Sequence, residues 1–225
     1  MTLVNWNAVP PGFCSPLLAA SDFGANLLCR SQLQDGVLIH TAQMQFGAII
    51  RIREATFSDE DAIRDIHLSA FGVDEREIVA KLAVDLLSEG TRPPTIALVA
   101  EVGGSAIGHV AFSPVSTGVA DGLGVYILAP LAVRPEHQKR GVGSLLVEDG
   151  KRQLSEMGVD LLLVYGDPEY YGRFGFSVAA AEGCIPPYDI EHRLGWQGVV
   201  LSERGIPESP LQLECVASLR DPALW

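Results

Sequence analysis

The fold of this chain is decided by residues 131–147, LAVRPEHQKRGVGSLLV, which predict an apolar strand, a short polar turn and a glycine-started helix. The first amide N–H groups of a helix have no intrahelical partner, and the helix dipole favours negative charge there. Gly141 and Gly143 keep side chains away from this backbone, while Lys139 and Arg140 place two cations beside it. The stretch indicates a cradle for an anion such as a diphosphate. For the glycines and charges alone, an ordinary turn with solvated basic residues is an equal alternative.

Two familiar phosphate-binding motifs fit this spacing less well. A P-loop would end in Gly-Lys followed by Ser or Thr, which this stretch does not contain. A dinucleotide-binding fingerprint would need a third glycine where Leu146 stands.

The spacing Gln138-x-x-Gly141-x-Gly143 resembles the acyl-CoA-binding motif of the GNAT N-acetyltransferase superfamily. Downstream, Tyr171 stands four residues before Gly175-Phe176, a pattern common in that superfamily. The longer stretches 107–114 (IGHVAFSP) and 166–176 (GDPEYYGRFGF) are similar to its YhbS-type subgroup. The resemblance runs from Ile50 to the C-terminus and is strongest over residues 107–176.

The resemblance implies an α/β fold of the GNAT acyl-CoA N-acyltransferase type, with a mixed, mostly antiparallel sheet and a splayed central strand flanked by helices. It implies acetyl-CoA as co-substrate. The cofactor-binding residues that it implies are Leu131, Ala132, Val133, Gln138, Lys139, Arg140, Gly141, Val142, Gly143, Ser144 and Asp167. Many members have Asn where this chain has Asp167, and an Asp side chain cannot donate an amide N–H.

Acetyl transfer from a thioester to an amine needs a neutral amine, a polarised carbonyl and a proton for the departing thiolate. A backbone N–H of the splayed strand can polarise the carbonyl. The resemblance makes Tyr171 the candidate general acid, since a phenol with an ordinary pKa of about 10 serves as a donor at neutral pH. Tyr170 is predicted to be a packing residue. No base is assigned, although Glu101, His109 and Tyr126 lie on or beside strands near the expected site.

The predicted function is transfer of the acetyl group of acetyl-CoA to a primary amine by direct attack in a ternary complex. Small-molecule amines and protein amines are equally open as acceptors. The alternative is a non-catalytic acyl-CoA-binding or sensing module. The formal net charge of −12 argues against a nucleic-acid surface, which needs clustered cations to neutralise phosphates.

The 225 residues, 48% of them apolar, are enough for one sizeable core. The four cysteines form no Cys-x-x-Cys pair and have no zinc-ligand spacing, so free thiols and no metal site are expected. No basic leader is present, and no apolar run approaches the ~18 to 20 residues of a membrane helix. A cytoplasmic protein with no membrane partner is predicted.

Two regions are distinguished along the chain, an N-terminal extension over residues 1–48 and the catalytic domain over residues 49–225. The extension has few charges and no sustained periodicity, so it is expected to be weakly structured. Met44 offers a hypothetical later start of translation, which N-terminal sequencing of the native protein would test. The alternative is a native apolar arm that packs on the domain or on a second subunit of a homodimer.

Within the domain, the pattern predicts a strand over residues 49–53, a helix capped by Ser58 or Asp59, and a second helix from about residue 74. Residues 95–102 and 106–112 are predicted to form a hairpin.

A central strand is predicted over residues 125–133, bulged or splayed at Pro130, which cannot donate a ladder hydrogen bond. Residues 141–157 follow as a helix in which Gly150 indicates a close approach to the sheet. Residues 161–164 are expected to pair parallel to the central strand.

Overall fold

The structure, a computed structural model, describes residues 29–34, 37–43, 49–118, 122–204 and 210–225, with side-chain environments from residue 49 onward. The helices are α1 (Glu60–Ala70), α2 (Arg76–Ser88), α3 (Val142–Glu156) and α4 (Pro168–Gly172). The strands are β1 (Cys29–Gln34), β2 (Val37–Gln43), β3 (Ile49–Glu54), β4 (Ile96–Val102), β5 (Ser105–Ser116), β6 (Val125–Val133), β7 (Leu161–Tyr165), β8 (Cys184–Ile185), β9 (Trp196–Val200), β10 (Leu211–Gln212) and β11 (Glu214–Cys215).

One large sheet organises the described residues, in the strand order β1-β2-β3-β4-β5-β6-β7-β9, with β11 pairing to the end of β5. Every pair in it is antiparallel except β6 with β7, which α3 connects. A separate two-stranded pair joins β8 and β10. These pairings confirm the predicted α/β class with a mixed, mostly antiparallel sheet.

The two faces of the sheet bury different elements. One face packs alternate residues of β4 to β7 against α3, through Val142, Leu146 and Val147. The other face packs the intervening residues against α2 and the C-terminal segment, through Leu82, Leu86 and Trp225. This alternation follows from the two-residue period of a strand and leaves β6 buried on both sides.

An ion pair and a turn hydrogen bond hold Asp59 at the start of α1. The Asp59 carboxylate accepts a hydrogen bond from the Thr56 N–H at 2.8 Å and two from the Arg53 guanidinium, at 2.7 and 2.8 Å. These bonds lower the pKa of Asp59 to about 2. Asp59 lies at the N-cap position of α1, one of the two predicted, but its carboxylate makes no hydrogen bond to an N–H of that helix.

Gly150 lies where α3 meets the sheet, as its position in the sequence predicts. A side chain there would overlap the aromatic ring of Phe112 on β5. The missing Cβ therefore lets the helix approach the sheet closely, which offsets the usual cost of glycine within a helix.

The central strand β6 is interrupted at Pro130. Val110 of β5 pairs with Leu131, while Phe112 pairs with Leu128, so the one residue between them on β5 faces two on β6, Ala129 and Pro130. This extra residue is the predicted bulge. On its other edge β6 pairs with β7 only from Val125 to Leu128, so the two strands separate beyond that point.

Two strands within the N-terminal extension, β1 and β2, were not predicted. They form an antiparallel hairpin, and β2 pairs with β3, so they extend the sheet at its outer edge. Met44 lies outside the described residues. The boundary at residue 48 stays a prediction. Across the described stretches, no helix is both long enough and apolar enough to cross a membrane.

Candidate active site

A cleft of about 480 Å³ opens where β6 and β7 separate. It lies among the end of α1, the last residues of β6, the first turn of α3, and α4. Ten of the predicted cofactor-binding residues line it: Leu131, Ala132, Val133, Gln138, Lys139, Gly141, Val142, Gly143, Ser144 and Asp167. The structure therefore brings together two stretches of chain that are separated by most of α3 and all of β7.

Left-handed backbone shapes the turn before α3. Gly141, the N-cap residue, has φ 82°, and Lys139 has φ 58°. No other group lies within 4 Å of the position a Gly141 side chain would take, so the backbone there is accessible. The first N–H groups of α3 have no intrahelical partner and are available to an anion. Arg140 is exposed and is not among the residues that line the cleft.

Gln138 braces this turn against the central strand. Its side-chain amide donates a hydrogen bond to the Val133 carbonyl oxygen at 3.0 Å. This bond ties the turn to the last residue of β6. The Gln138 side chain, predicted to bind the cofactor, thus also fixes the position of the turn relative to the end of β6.

The two adjacent tyrosines of α4 have different environments. Tyr170 lines the cleft, and a Cβ on Gly143 would lie 2.5 Å from its hydroxyl oxygen. Tyr171 is fully buried beside Phe174 and Phe176, and its hydroxyl has no hydrogen-bond partner in the described part of the chain. Burial raises the pKa of Tyr171 well above its ordinary value, and nearby Tyr170 and Asp167 raise it further. Tyr171 therefore keeps its proton at neutral pH.

Asp167 has a structural role as well as a place in the cleft. It is the N-cap residue of α4, and its carboxylate accepts a hydrogen bond from the Glu169 N–H at 2.9 Å. This bond accounts for an acidic residue at the start of a helix. An Asn side chain could make the same bond through its carbonyl oxygen and would keep an amide donor for a ligand.

The three residues considered as bases are engaged elsewhere. Glu101 accepts a hydrogen bond from Arg53 at 2.8 Å, and the Tyr126 hydroxyl donates to the Pro94 carbonyl at 2.9 Å. His109 is fully buried and shares a 2.9 Å hydrogen bond with His67. None of the three lines the cleft, so the described residues supply no base from this set.

Five residues in the lining were not predicted as site residues: Ala70, Phe71, His137, Tyr170 and Arg173. His137 is half-buried. Ala70 and Phe71 come from the end of α1, far away in the sequence, and no local motif marks them. Tyr170 is predicted to be a packing residue because most tyrosines pack amphipathically and the spacing to Gly175-Phe176 singles out Tyr171; the structure places Tyr170 in the cleft.

In the described part of the chain, no group of three His, Cys, Asp or Glu residues is placed to hold a metal ion. Cys184 and Cys215 are free and buried, and burial raises their pKa values to about 11 and about 12. Such thiols are protonated at neutral pH and therefore weakly reactive. Cys14 lies outside the described residues.

Comparison with known families adds an independent observation. The family model described as an acetyltransferase (GNAT) domain matches residues 51–179, more than half of the chain. The chain belongs to the GNAT family. The GNAT match spans β3 to α4 and so includes all residues that line the cleft. As a GNAT member of the YhbS type, the chain is an acetyltransferase.

Two GNAT relatives from Escherichia coli strain K12 resemble the chain in sequence. The uncharacterized N-acetyltransferase YjhQ is 38% identical over 143 residues, which are 62% of this chain and 77% of YjhQ. The uncharacterized N-acetyltransferase YhbS is 39% identical over 124 residues, 52% of this chain and 72% of YhbS.

Solved GNAT structures share the fold. The crystal structure of Escherichia coli YhbS in complex with CoA has a TM-score of 0.63 and 31% identity, covering 76% of this chain and 91% of YhbS. A GNAT acetyltransferase from Brucella melitensis in complex with acetyl-CoA has a TM-score of 0.55 and 28% identity, covering 75% of this chain and 97% of that one.

Proposed function

We propose that this protein transfers the acetyl group of acetyl-CoA to a primary amine by direct attack in a ternary complex. The observation that carries the proposal is the cleft, where an unpaired edge of β6 meets the first turn of α3. Such a cleft offers backbone groups to an amide-containing chain and to a diphosphate together. The YhbS and Brucella melitensis structures, which contain CoA and acetyl-CoA, support the same ligand.

The residues present fit acetyl-CoA by their chemistry. The N–H groups at the start of α3 and the Lys139 ammonium would hold the diphosphate, since both favour negative charge. The open edge at residues 131–133 would pair with the amides of the pantetheine arm. Arg140, exposed beside the turn, would add positive potential rather than line the cleft.

Tyr171 is the proposed general acid. In the reaction, the amine nitrogen bonds to the acetyl carbon, the carbon–sulfur bond breaks, and the Tyr171 hydroxyl gives its proton to the sulfur. The amine loses its own proton to water. Tyr171 is not among the residues that line the cleft, and its fully buried hydroxyl has no partner in the described residues. Such a hydroxyl costs about 1–3 kcal/mol, which a sulfur acceptor brought within reach would offset. A backbone N–H of residues 131–133 would polarise the carbonyl.

Calorimetric titration with acetyl-CoA tests the cofactor site, using wild type, Gly141→Glu and a matched control, Gly158→Glu. Both glycines have positive φ and open space around them, but Gly158 follows the far end of α3. We expect micromolar binding in wild type, loss of binding in Gly141→Glu, and wild-type affinity in Gly158→Glu. No wild-type binding would overturn the proposal.

Thioester cleavage with a panel of primary amines tests catalysis separately. We expect at least one amine to accelerate release of CoA thiol from acetyl-CoA. Binding without amine-dependent release for any amine in the panel would instead indicate a non-catalytic acyl-CoA-binding module.

A further inference from the structure

Arg173 occupies a position in the cleft that the reaction described above does not use. Its guanidinium carbon lies 4.6 Å from the centre of the Tyr170 ring. Its Nε donates a hydrogen bond to the Tyr170 carbonyl oxygen at 3.2 Å. These two contacts hold the head of a long side chain that would otherwise sample many rotamers.

The terminal nitrogens of Arg173 have no carboxylate within ion-pair distance in the described part of the chain. Several other arginines form ion pairs, although exposed Arg140 and Arg193 form none within the described residues. Arg53 contacts Asp59 and Glu101, and Arg152 contacts both Asp149 and Glu156. Because the formal net charge is −12, carboxylates are abundant. Arg173 is thus a held cation whose outer N–H groups remain available to a ligand.

Packing of α4 on α3 places this cation near the diphosphate cradle. The Tyr170 hydroxyl lies against Gly143 in the first turn of α3, and Arg173 stacks on the same ring. Lys139, in the turn before α3, also lines the cleft. The lining therefore includes two cations, one contributed before α3 and the other at the end of α4.

We propose that Arg173 binds a phosphate of the nucleotide half of CoA, so that the cofactor is clamped between the start of α3 and the end of α4. The geometry suits this role because guanidinium groups bind phosphate oxygens through two parallel hydrogen bonds. The 3′-phosphate and the diphosphate share this chemistry. The inference rests on the proposed function and adds a binding residue to that site.

Titrations of Arg173→Gln with three acetylated ligands test the inference: acetyl-CoA, 3′-dephospho-acetyl-CoA and S-acetylpantetheine, which lacks phosphates. We expect Arg173→Gln to bind acetyl-CoA about 10- to 100-fold more weakly than wild type, typical of lost hydrogen bonds to a charged group. Its affinity for S-acetylpantetheine should be unchanged. Arg173→Lys should recover part of the loss, because it keeps the charge without the planar fork.

The dephosphorylated ligand separates the two phosphates. If the 3′-phosphate is the partner, wild type and Arg173→Gln will bind 3′-dephospho-acetyl-CoA equally. If the diphosphate is the partner, the difference between them will persist. Arg193→Gln is the control, since Arg193 is exposed and lies outside the cleft, and it should bind acetyl-CoA as wild type does.

Wild-type affinity of a folded Arg173→Gln for acetyl-CoA would overturn the role of Arg173 and leave the proposed function standing. A loss that is equally large for S-acetylpantetheine would also overturn it, because the effect would then not depend on phosphate. Failure of wild type to bind acetyl-CoA would instead overturn the proposed function. Thermal unfolding of each variant checks that the fold is retained.

Discussion

Polar groups have different environments on the two sides of β6. On the α3 side, the strand edge at residues 131–133, the helix start and two cations face an open cleft. On the β5 side, directly beside Ala132, His109 and His67 form a closed, fully buried pair, and the Phe71 ring that stacks on His67 also lines the cleft. Their outer ring nitrogens, His67 Nδ1 and His109 Nε2, are buried without a partner in the described residues.

This difference separates polar groups that a ligand can satisfy from groups that only packing holds. A ligand can form hydrogen bonds with the unpaired polar groups of the cleft. The free-energy cost of leaving those groups unpaired therefore ends when the ligand binds. The histidine pair stays neutral because burial lowers the pKa of His67 well below its ordinary value and that of His109 to about 3. Acetyl-CoA should therefore affect the cleft side of β6, whereas pH should affect the side with the histidine pair.

The largest expected effect is on turnover in Tyr171→Phe. Removal of a general acid costs about 10²- to 10⁴-fold in rate, while acetyl-CoA affinity and thermal stability should not fall, since the lost hydroxyl has no protein partner. Steady-state kinetics and calorimetry check this. Tyr170→Phe is the matched control and should keep most of its turnover. The reverse ranking would make Tyr170 the acid.

The second prediction concerns acid stability on the closed side of β6. Unfolded histidines take up protons below about pH 6.5, whereas the buried pair stays neutral until lower pH. The unfolded state thus binds more protons in this window, so the free energy of unfolding falls as pH decreases from about 6.5 towards 3.

Each histidine can contribute about 1.4 kcal/mol per pH unit to this fall. Urea unfolding between pH 6.5 and 4.5 measures it above the range, from about pH 4 to about pH 2, in which Asp59 takes up its proton in the unfolded and then the folded state. Nearby Asp59 weakly opposes the shift of His109. The His67→Leu/His109→Leu variant should show a flatter profile. Imidazole NMR signals of His67 and His109 that titrate near pH 6.5 would contradict the prediction.

The third prediction compares two glycines of α3. Gly150→Ala should lower the free energy of unfolding by about 1–3 kcal/mol, because the new methyl group overlaps the buried Phe112 ring. Gly143→Ala meets only the end of the Tyr170 side chain, which can move. It should change stability by less than about 1 kcal/mol and weaken acetyl-CoA binding instead. Chemical denaturation and calorimetry separate the two. Equal stability losses would show that the helix start is packed as tightly as its middle.

The smallest expected effect is that of Asp167→Asn. Asn caps a helix about as well as Asp, so stability should change by less than about 0.5 kcal/mol. Removal of one negative charge from the cleft should tighten acetyl-CoA binding by roughly two- to fivefold. Calorimetry measures the change, with Asp189→Asn, outside the cleft, as control. Weaker binding in Asp167→Asn would indicate that the carboxylate accepts a hydrogen bond from the cofactor.

Local sequence predicted those parts of the fold and site that depend on the backbone. The glycines at 141 and 150, the bulge at Pro130 and the N-cap position of Asp59 each reflect a constraint that few residue types satisfy. Phe71 and Arg173 could not be found this way, because their roles depend on how α1 and α4 pack around β6. The pairing of His67 with His109 depends on contact between residues 42 positions apart.

The separation of β6 from β7 has a consequence for how this protein can change over time. A ligand that pairs with a strand edge is recognised by main-chain groups that every amino acid carries. Substitutions at Leu131 or Val133 can therefore change the side chains around the acyl group without removing the backbone groups that pair with the carrier. Selection is thus free to alter which acyl group is transferred while binding of the carrier is retained.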